Sequence, residues 1–302
     1  MGWRNLYVTR HTKLSYSLNN LVFENELGKD SIPIDDLDQI YIESTQVVIT
    51  TGLLSELVTR GIDVIITDGS HIPVGRMEPL FPTNRDKNSI TKQLHWEQKR
   101  KSVLWEKIIS NKIRNQIHVL NFFKIDSKCL EYELYKLQLD DSTNREAVAS
   151  LKYFPLLFGK GFTRKDTTNS INHALNYGYT VFLTRIINEI VIQGYMPTLG
   201  IHHSNLSNKY NFACDLIEPF RPVIDHWVRN NSFIELTQEV RIGLVSALDT
   251  IVTYGDKHLR VRNAIKQYVS DCLRFLNGEI EECNFSVEVS DEVSNYETNG
   301  DV

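Results

Sequence analysis

Pro79-Leu-Phe-Pro-Thr-Asn84 separates two periodicities. Two prolines and the polar pair after them interrupt regular structure and mark a domain boundary. Before this stretch, apolar residues come in short alternating runs. After it, they recur every three or four positions. The change of period predicts an α+β chain, with a β-rich N-terminal domain over 1–84 and a larger all-α-helical domain over 85–278.

Upstream, Leu6-Tyr-Val, Leu14-Ser-Tyr-Ser-Leu, Leu21-Val-Phe, Gln39-Ile-Tyr-Ile-Glu and Val47-Val-Ile-Thr read as strands. They are rich in β-branched and aromatic residues and are divided by Asn-Asn and Gly-Lys-Asp turns. Gly52-Leu-Leu-Ser-Glu-Leu-Val has helical spacing and a stop at Gly61. Asp63-Val-Ile-Ile-Thr-Asp-Gly reads as a buried strand and His71-Ile-Pro-Val-Gly-Arg as a last one. The expectation is one small mixed sheet with a helix.

Downstream, Asn88 to Phe123 carries Leu94, Val103, Leu104, Ile108 and Ile113 between charged residues, the pattern of one long helix or two in line. Leu130 to Leu137, the segment after Asp141-Ser-Thr-Asn, and Asn169 to Gly194 are further helices. Glu235 to Tyr254 and His258 to Leu276 complete the set.

The chain has 302 residues, 41% of them hydrophobic, and no apolar run approaching a membrane span. Its N-terminus lacks the layout of a secretion signal. Four scattered cysteines without a CxxC pair fit a reducing cytoplasm and argue against a cysteine zinc site. The net charge of −5 is unevenly spread. From Gly278 to Val302 there are eight acidic residues and no Lys or Arg, so the rest of the chain carries +3. Arg85 to Arg114 holds nine basic residues against three acidic. A basic face with a separate acidic tail is compatible with nucleic-acid binding, although such a helix is equally a solvated one. The stretch 279–302 reads as disordered.

The groups suited to chemistry concentrate in Gly200-Ile-His-His and Asp215-Leu-Ile-Glu-Pro-Phe-Arg-Pro222. Asp215 and Glu218 stand three apart and share a face of one turn, where they repel unless something positive lies between them. Pro222 is placed to open the next helix at its first position. Carboxylates facing inward suit a hard cation, Mg²⁺ or Mn²⁺, and an imidazole among them makes Mn²⁺ well tolerated. His202 and His203 precede them across a polar loop and point in different directions, so one of the two faces the site. Glu146 is a third candidate, beside the small residues Ala147 and Ala149. Its plain alternative is a helix-start glutamate in a capping box with Thr143. The nucleotide-loop, dinucleotide, zinc-helix and nucleophile-elbow motifs are absent.

Asn144-Arg-Glu-Ala-Val-Ala, Gly200-Ile-His-His and Asp215-Leu-Ile-Glu-Pro-Phe-Arg-Pro resemble, in that order, the three signature segments of the CRISPR adaptation integrases, most closely the type II members. The resemblance covers essentially the whole chain. It implies a prokaryotic, metal-dependent DNA endonuclease and integrase that inserts short foreign fragments into a CRISPR array. By motif position, Glu146, His203 and Glu218 become the metal ligands and catalytic residues. Asp215 helps bind the metal or holds the ligands in place, and Arg221 is a local ion-pair partner or a phosphate contact. His202 is the supporting neighbour, because the family histidine stands three after the glycine. The implied partners are DNA, a second copy of the chain and a small ferredoxin-like subunit that bridges paired dimers. Two other readings start from the same residues: a structure-selective DNA repair nuclease, and a DNA-binding scaffold whose carboxylates only brace helices.

Overall fold

The computed structural model describes residues 4–69, 73–77, 88–282 and 285–289. The chain divides into two compact units, Met1–Thr83 and Asn84–Val302.

The first unit contains β1 (Arg4–Val8), β2 (Lys13–Ser17), β3 (Asn20–Asn25), β4 (Gly28–Pro33), β5 (Leu37–Ile42), β6 (Val48–Ile49), α1 (Thr51–Arg60), β7 (Asp63–Thr67) and β8 (Pro73–Arg76). They form two four-stranded sheets, ordered β1-β5-β7-β8 and β4-β3-β2-β6, where a single mixed sheet was expected. In the first sheet β1, β5 and β7 run parallel and β8 is antiparallel. The second is a meander with β6 added parallel to β2. The two-residue turn between β2 and β3 places Leu18 and Asn19 at φ 48° and 63°, so this hairpin forms without the glycine that usually announces it. One core serves both sheets and α1: Leu14, Leu21, Ile34, Ile40, Leu53 and Val64 are fully buried within it. Thr50 caps α1 by accepting the Leu53 N–H, and Gly61 ends it at φ 71°.

The second unit contains α2 (Ser89–Leu94), α3 (Gln98–Phe122), α4 (Lys128–Tyr135), α5 (Arg145–Phe158), α6 (Ser170–Ile192), α7 (Asn211–Leu216), α8 (Arg221–Asn230), α9 (Gln238–Ser246), β9 (Ile251–Tyr254), β10 (Lys257–Arg260), α10 (Val261–Leu276) and β11 (Val287–Val289). The first helical stretch is two successive helices, α2 and α3. The centre is α6, whose Ala174, Leu175, Val181, Phe182, Ile186 and Ile190 are fully buried. Asn169 caps it through the N–H groups of Ile171 and Asn172. Gly178 lets α8 approach, because a Cβ there would stand 2.6 Å from Ile224 Cγ2. No helix among the described residues is long and apolar enough to cross a membrane.

Two features depart from an all-helical unit. Ile251-Val-Thr-Tyr254 and Lys257–Arg260 form a hairpin around Gly255 (φ 57°) and Asp256. The helical reading of 235–254 overran these β-branched residues, for which the pleated surface is the better fit. Residues Val287–Val289, inside the stretch expected to be disordered, add a third strand to β9. Residues 283–284 and 290–302 of that stretch lie outside the described residues.

Candidate active site

Three separate elements deliver the candidate ligands. Glu146 stands in the first turn of α5. That turn is capped by Asp141, whose carboxylate accepts the N–H groups of Arg145 (2.6 Å) and Glu146 (3.0 Å). Glu146 therefore has no capping box to complete with Thr143, and its carboxylate instead meets Lys112 Nζ of α3 at 2.7 Å. Glu218 opens a 3-10 turn, Glu218–Phe220, between α7 and α8, where Pro219 and Pro222 prevent one continuous helix. Its Oε2 lies 2.5 Å from the same Lys112 Nζ, and its Oε1 accepts from Arg221 Nε at 2.8 Å.

Charge explains why a carboxylate can be buried here. Glu218 is 4% exposed. Burial pushes its carboxyl upward, yet Arg221 and Lys112 outweigh that and hold it at about 2. Burial likewise works against the Lys112 ammonium, and Glu218 and Glu146 keep its pKa above the usual lysine value. Arg221 also lies over the Tyr179 ring, 4.6 Å from its centroid.

The third contributor is the loop before α7. Asp215, fully buried, accepts the backbone N–H groups of Ile201 (2.7 Å), His202 (3.2 Å) and His203 (3.0 Å). It also binds His203 Nδ1 at 2.6 Å, and this hydrogen bond raises the imidazole's pKa. Nδ1 is thus engaged, which assigns Nε2 as the ring nitrogen for any ligand. Gly200 is required by close approach: a Cβ would sit 2.3 Å from the His203 carbonyl oxygen and 2.8 Å from Asp215 Oδ2. The ring of His202 stands edge-on to that of His203, with centroids 5.7 Å apart. The His202 ring stacks on Trp105 at 4.2 Å and 8°, and its Nδ1 is 4.0 Å from Asp140.

Glu146, His203, Glu218 and Arg221 line one cavity of about 300 Å³, together with Lys112, Gln116, Phe154, Arg164, Tyr179 and Asp225. Asp215 and His202 do not line it. Sequence reading missed Lys112, Gln116, Arg164, Tyr179 and Asp225. For α3 a signal existed, since Asn111, Lys112, Asn115 and Gln116 form a buried polar stripe on a helix otherwise packed through Ile108, Ile109 and Ile113. For Tyr179, whose O–H donates to Asp225, the partner lies 46 positions away and no local pattern announces it.

Among the described residues, no group of three or more His, Cys, Asp or Glu stands close enough to hold a metal ion. The ammonium of Lys112 lies between the two glutamates instead. The donor set nevertheless fits a hard cation: two carboxylates that already share a positive charge, one imidazole nitrogen, and Gln116 Oε1, which is buried without a hydrogen-bond donor.

The profile of the family described as CRISPR associated protein Cas1 matches residues 6–154 and 156–232. The CRISPR-associated endonuclease Cas1 of Neisseria meningitidis serogroup C is 32% identical over 277 residues, covering 89% of this chain and 91% of its own. Among solved structures, a casposase bound to integration product has the same fold, with a TM-score of 0.77 at 18% identity over 99% of this chain and 96% of that one. A chain of a Cas6-RT-Cas1–Cas2 complex matches with a TM-score of 0.72 at 16% identity, over 96% of this chain and 36% of that one. With the profile spanning both units and a relative of this identity aligned almost end to end, the chain belongs to the Cas1 family of CRISPR associated proteins.

Proposed function

We propose that this protein is a divalent-metal-dependent DNA endonuclease and integrase, which inserts short DNA fragments into a CRISPR array by transesterification. The observation that carries the reading is that Glu146, His203 and Glu218, from α5, the 200–203 loop and the Glu218–Phe220 turn, line one cavity in a chain of this family. Those three residues would hold Mg²⁺ or Mn²⁺. Bound there, the ion would supply Lewis acidity toward the phosphodiester and lower the pKa of the attacking 3′-hydroxyl.

The chain's own residues have distinct tasks. Asp215 fixes the tautomer and direction of His203 through Nδ1 and pins the loop through three backbone N–H groups. Arg221 keeps Glu218 ionised and offers a guanidinium at the cavity wall, and Arg164 offers a second. Both suit the phosphates of a DNA backbone. No protein nucleophile is needed, since the attacking oxygen belongs to the DNA. Insertion at both ends of one repeat calls for two sites, which favours a homodimer. The Cas6-RT-Cas1–Cas2 assembly supports a second, small adaptation subunit as a further partner.

The test is a half-site integration assay with labelled duplex, a repeat-containing target and Mn²⁺ or Mg²⁺, with the partner subunit added or withheld. Glu146→Ala, His203→Ala and Glu218→Ala are each expected to lower joining by more than the ~10–100-fold typical of residues that only support ligands. Undiminished joining by the Glu218→Ala protein would sink the assignment. Cleavage of branched DNA without preference for repeat ends would favour a repair nuclease. Failure of Mn²⁺ to bind or to raise the melting temperature would favour a scaffold.

A further inference from the structure

Asn111 and Asn115 of α3 are buried, 5% and 2% exposed, and neither lines the cavity. Both bind the C-terminal strand. Asn111 pairs with Val287 in both directions: Oδ1 accepts its N–H and Nδ2 donates to its C=O, each at 2.9 Å. Asn115 Nδ2 donates to the same carbonyl at 2.8 Å, and its Oδ1 accepts the Val289 N–H at 3.4 Å. The Nδ2 group of Asn115 has a second hydrogen, which goes to the Pro219 carbonyl at 2.8 Å. Pro219 directly follows Glu218. One buried amide therefore joins β11 to the turn that presents the glutamate, and Lys112, next to Asn111, reaches that glutamate from the same helix.

A three-residue strand needs a reason to be held so specifically. Apolar packing of Val287 and Val289 requires no asparagine, and without β11 Asn111 would lose its two hydrogen bonds to Val287 and Asn115 two of its three. With β11 docked, the Pro219 carbonyl has a fixed donor, and the position of a buried carboxylate follows from the turn that carries it. We infer that β11 acts as a strap on the active site: its docking on α3 sets the Glu218 turn, and Asn115 is the positioning residue that transmits it.

This inference rests on the metal-binding reading of Glu218, so its test reads metal binding and backbone exchange as well as joining. The full-length protein is titrated with Mn²⁺ and followed by electron paramagnetic resonance of the free ion. Amide hydrogen exchange is measured over residues 217–221. Asn115→Ala cuts the link at Pro219. Val287→Pro removes the strand's N–H, and the milder Asn111→Ala loosens the strand without touching Pro219. Tyr254→Phe, which removes a side-chain hydrogen bond to Asp271 of α10 and leaves the backbone pairing of β9 with β11 in place, is the control for stability loss alone.

The expected result is Mn²⁺ affinity about 10-fold weaker in Asn115→Ala and Val287→Pro and a smaller loss in Asn111→Ala. Faster exchange at 217–221 should accompany all three, with neither change in Tyr254→Phe. If Val287→Pro does not fold, Asn111→Ala decides by the same readouts. Wild-type affinity and exchange in the strand variants would overturn the strap. Equal weakening by Tyr254→Phe would overturn it too, by reducing it to general destabilisation. A wild-type protein that bound no Mn²⁺ would overturn the metal reading instead, and the exchange data would still decide the strap.

Discussion

Asp225 shows how far the cavity departs from water. It is 1% exposed and accepts a hydrogen bond from the Tyr179 hydroxyl, and burial raises its carboxyl to about 6. The folded chain then holds a proton that the unfolded chain has released between the ordinary value of 3.8 and about 6. Stability should fall as the pH rises through that window and stay at the lower level above it. Asp225→Asn keeps an acceptor for Tyr179 and removes the buried charge. It is expected to stabilise the protein by about 1–3 kcal/mol at pH 8, less whatever Arg164 and Arg221 lose in countercharge. The gain should shrink toward zero as the pH approaches 4. Urea melts of both proteins across this range check it, and a gain independent of pH would reject burial of the Asp225 charge as the cause. Nothing in the sequence around Ile224-Asp-His226 distinguishes this aspartate from a surface one. Glu146 is the opposite case: its helix-start position was visible, but the choice between a cap and a site residue turned on Asp141 and Lys112, which supply the two contacts that decide it.

At the scale of elements, the 200–203 loop is held by one residue, Asp215, and given room by another, Gly200. A methyl group at Gly200 would collide with the His203 carbonyl and with Asp215 Oδ2, which already accepts the N–H groups of Ile201 and His202. Gly200→Ala is expected to cost about 1–3 kcal/mol in stability, the range for overpacking, and to lower joining more than the lost stability explains because His203 shifts. Thermal melts and integration assays on the same preparation separate the two effects. Unchanged joining in a destabilised protein would remove the loop from the site. A lone glycine before two histidines is weak evidence of this close approach, whereas the long helices were legible, because their 3.6-residue period extends over many turns. The prolines at 219 and 222 likewise marked the break between α7 and α8. The β9–β10 hairpin was lost because a helical period was extended into a four-residue strand. β11 could not be read at all: its partners on α3 lie 172–176 residues earlier, and its own neighbourhood is acidic and weakly apolar. Local composition described the stretch, whereas hydrogen bonds from a distant helix order Val287–Val289 within it.

Under the proposed function, DNA attraction and DNA chemistry rest, at the scale of the molecule, on different groups. Of the Lys and Arg side chains lining the cavity, Lys112 and Arg221 are largely consumed by Glu146 and Glu218, while Arg164 donates to the neutral Asn172 and Asn176. Along α3, Lys99, Lys107 and Arg114 are exposed, and they belong to the stretch with nine basic residues. Phosphate contacts from such residues release counterions and are sequence-independent, so they persist whether or not the site is loaded. Removing divalent ions with EDTA is therefore expected to end joining while leaving duplex binding within a few-fold of its original strength. That residual binding should weaken as salt rises, by roughly 0.9 in log K per log unit of salt for each phosphate contacted. Replacing Lys107 and Arg114 by Gln should lower the salt slope by up to about 2 and leave the Mn²⁺ affinity unchanged. Gel-shift titrations in EDTA at several salt concentrations, run beside integration assays in Mn²⁺, measure both quantities on one preparation. Joining that survived EDTA would refute the metal-dependent reading. Duplex binding that vanished with the metal would move the DNA contacts from α3 to the site itself.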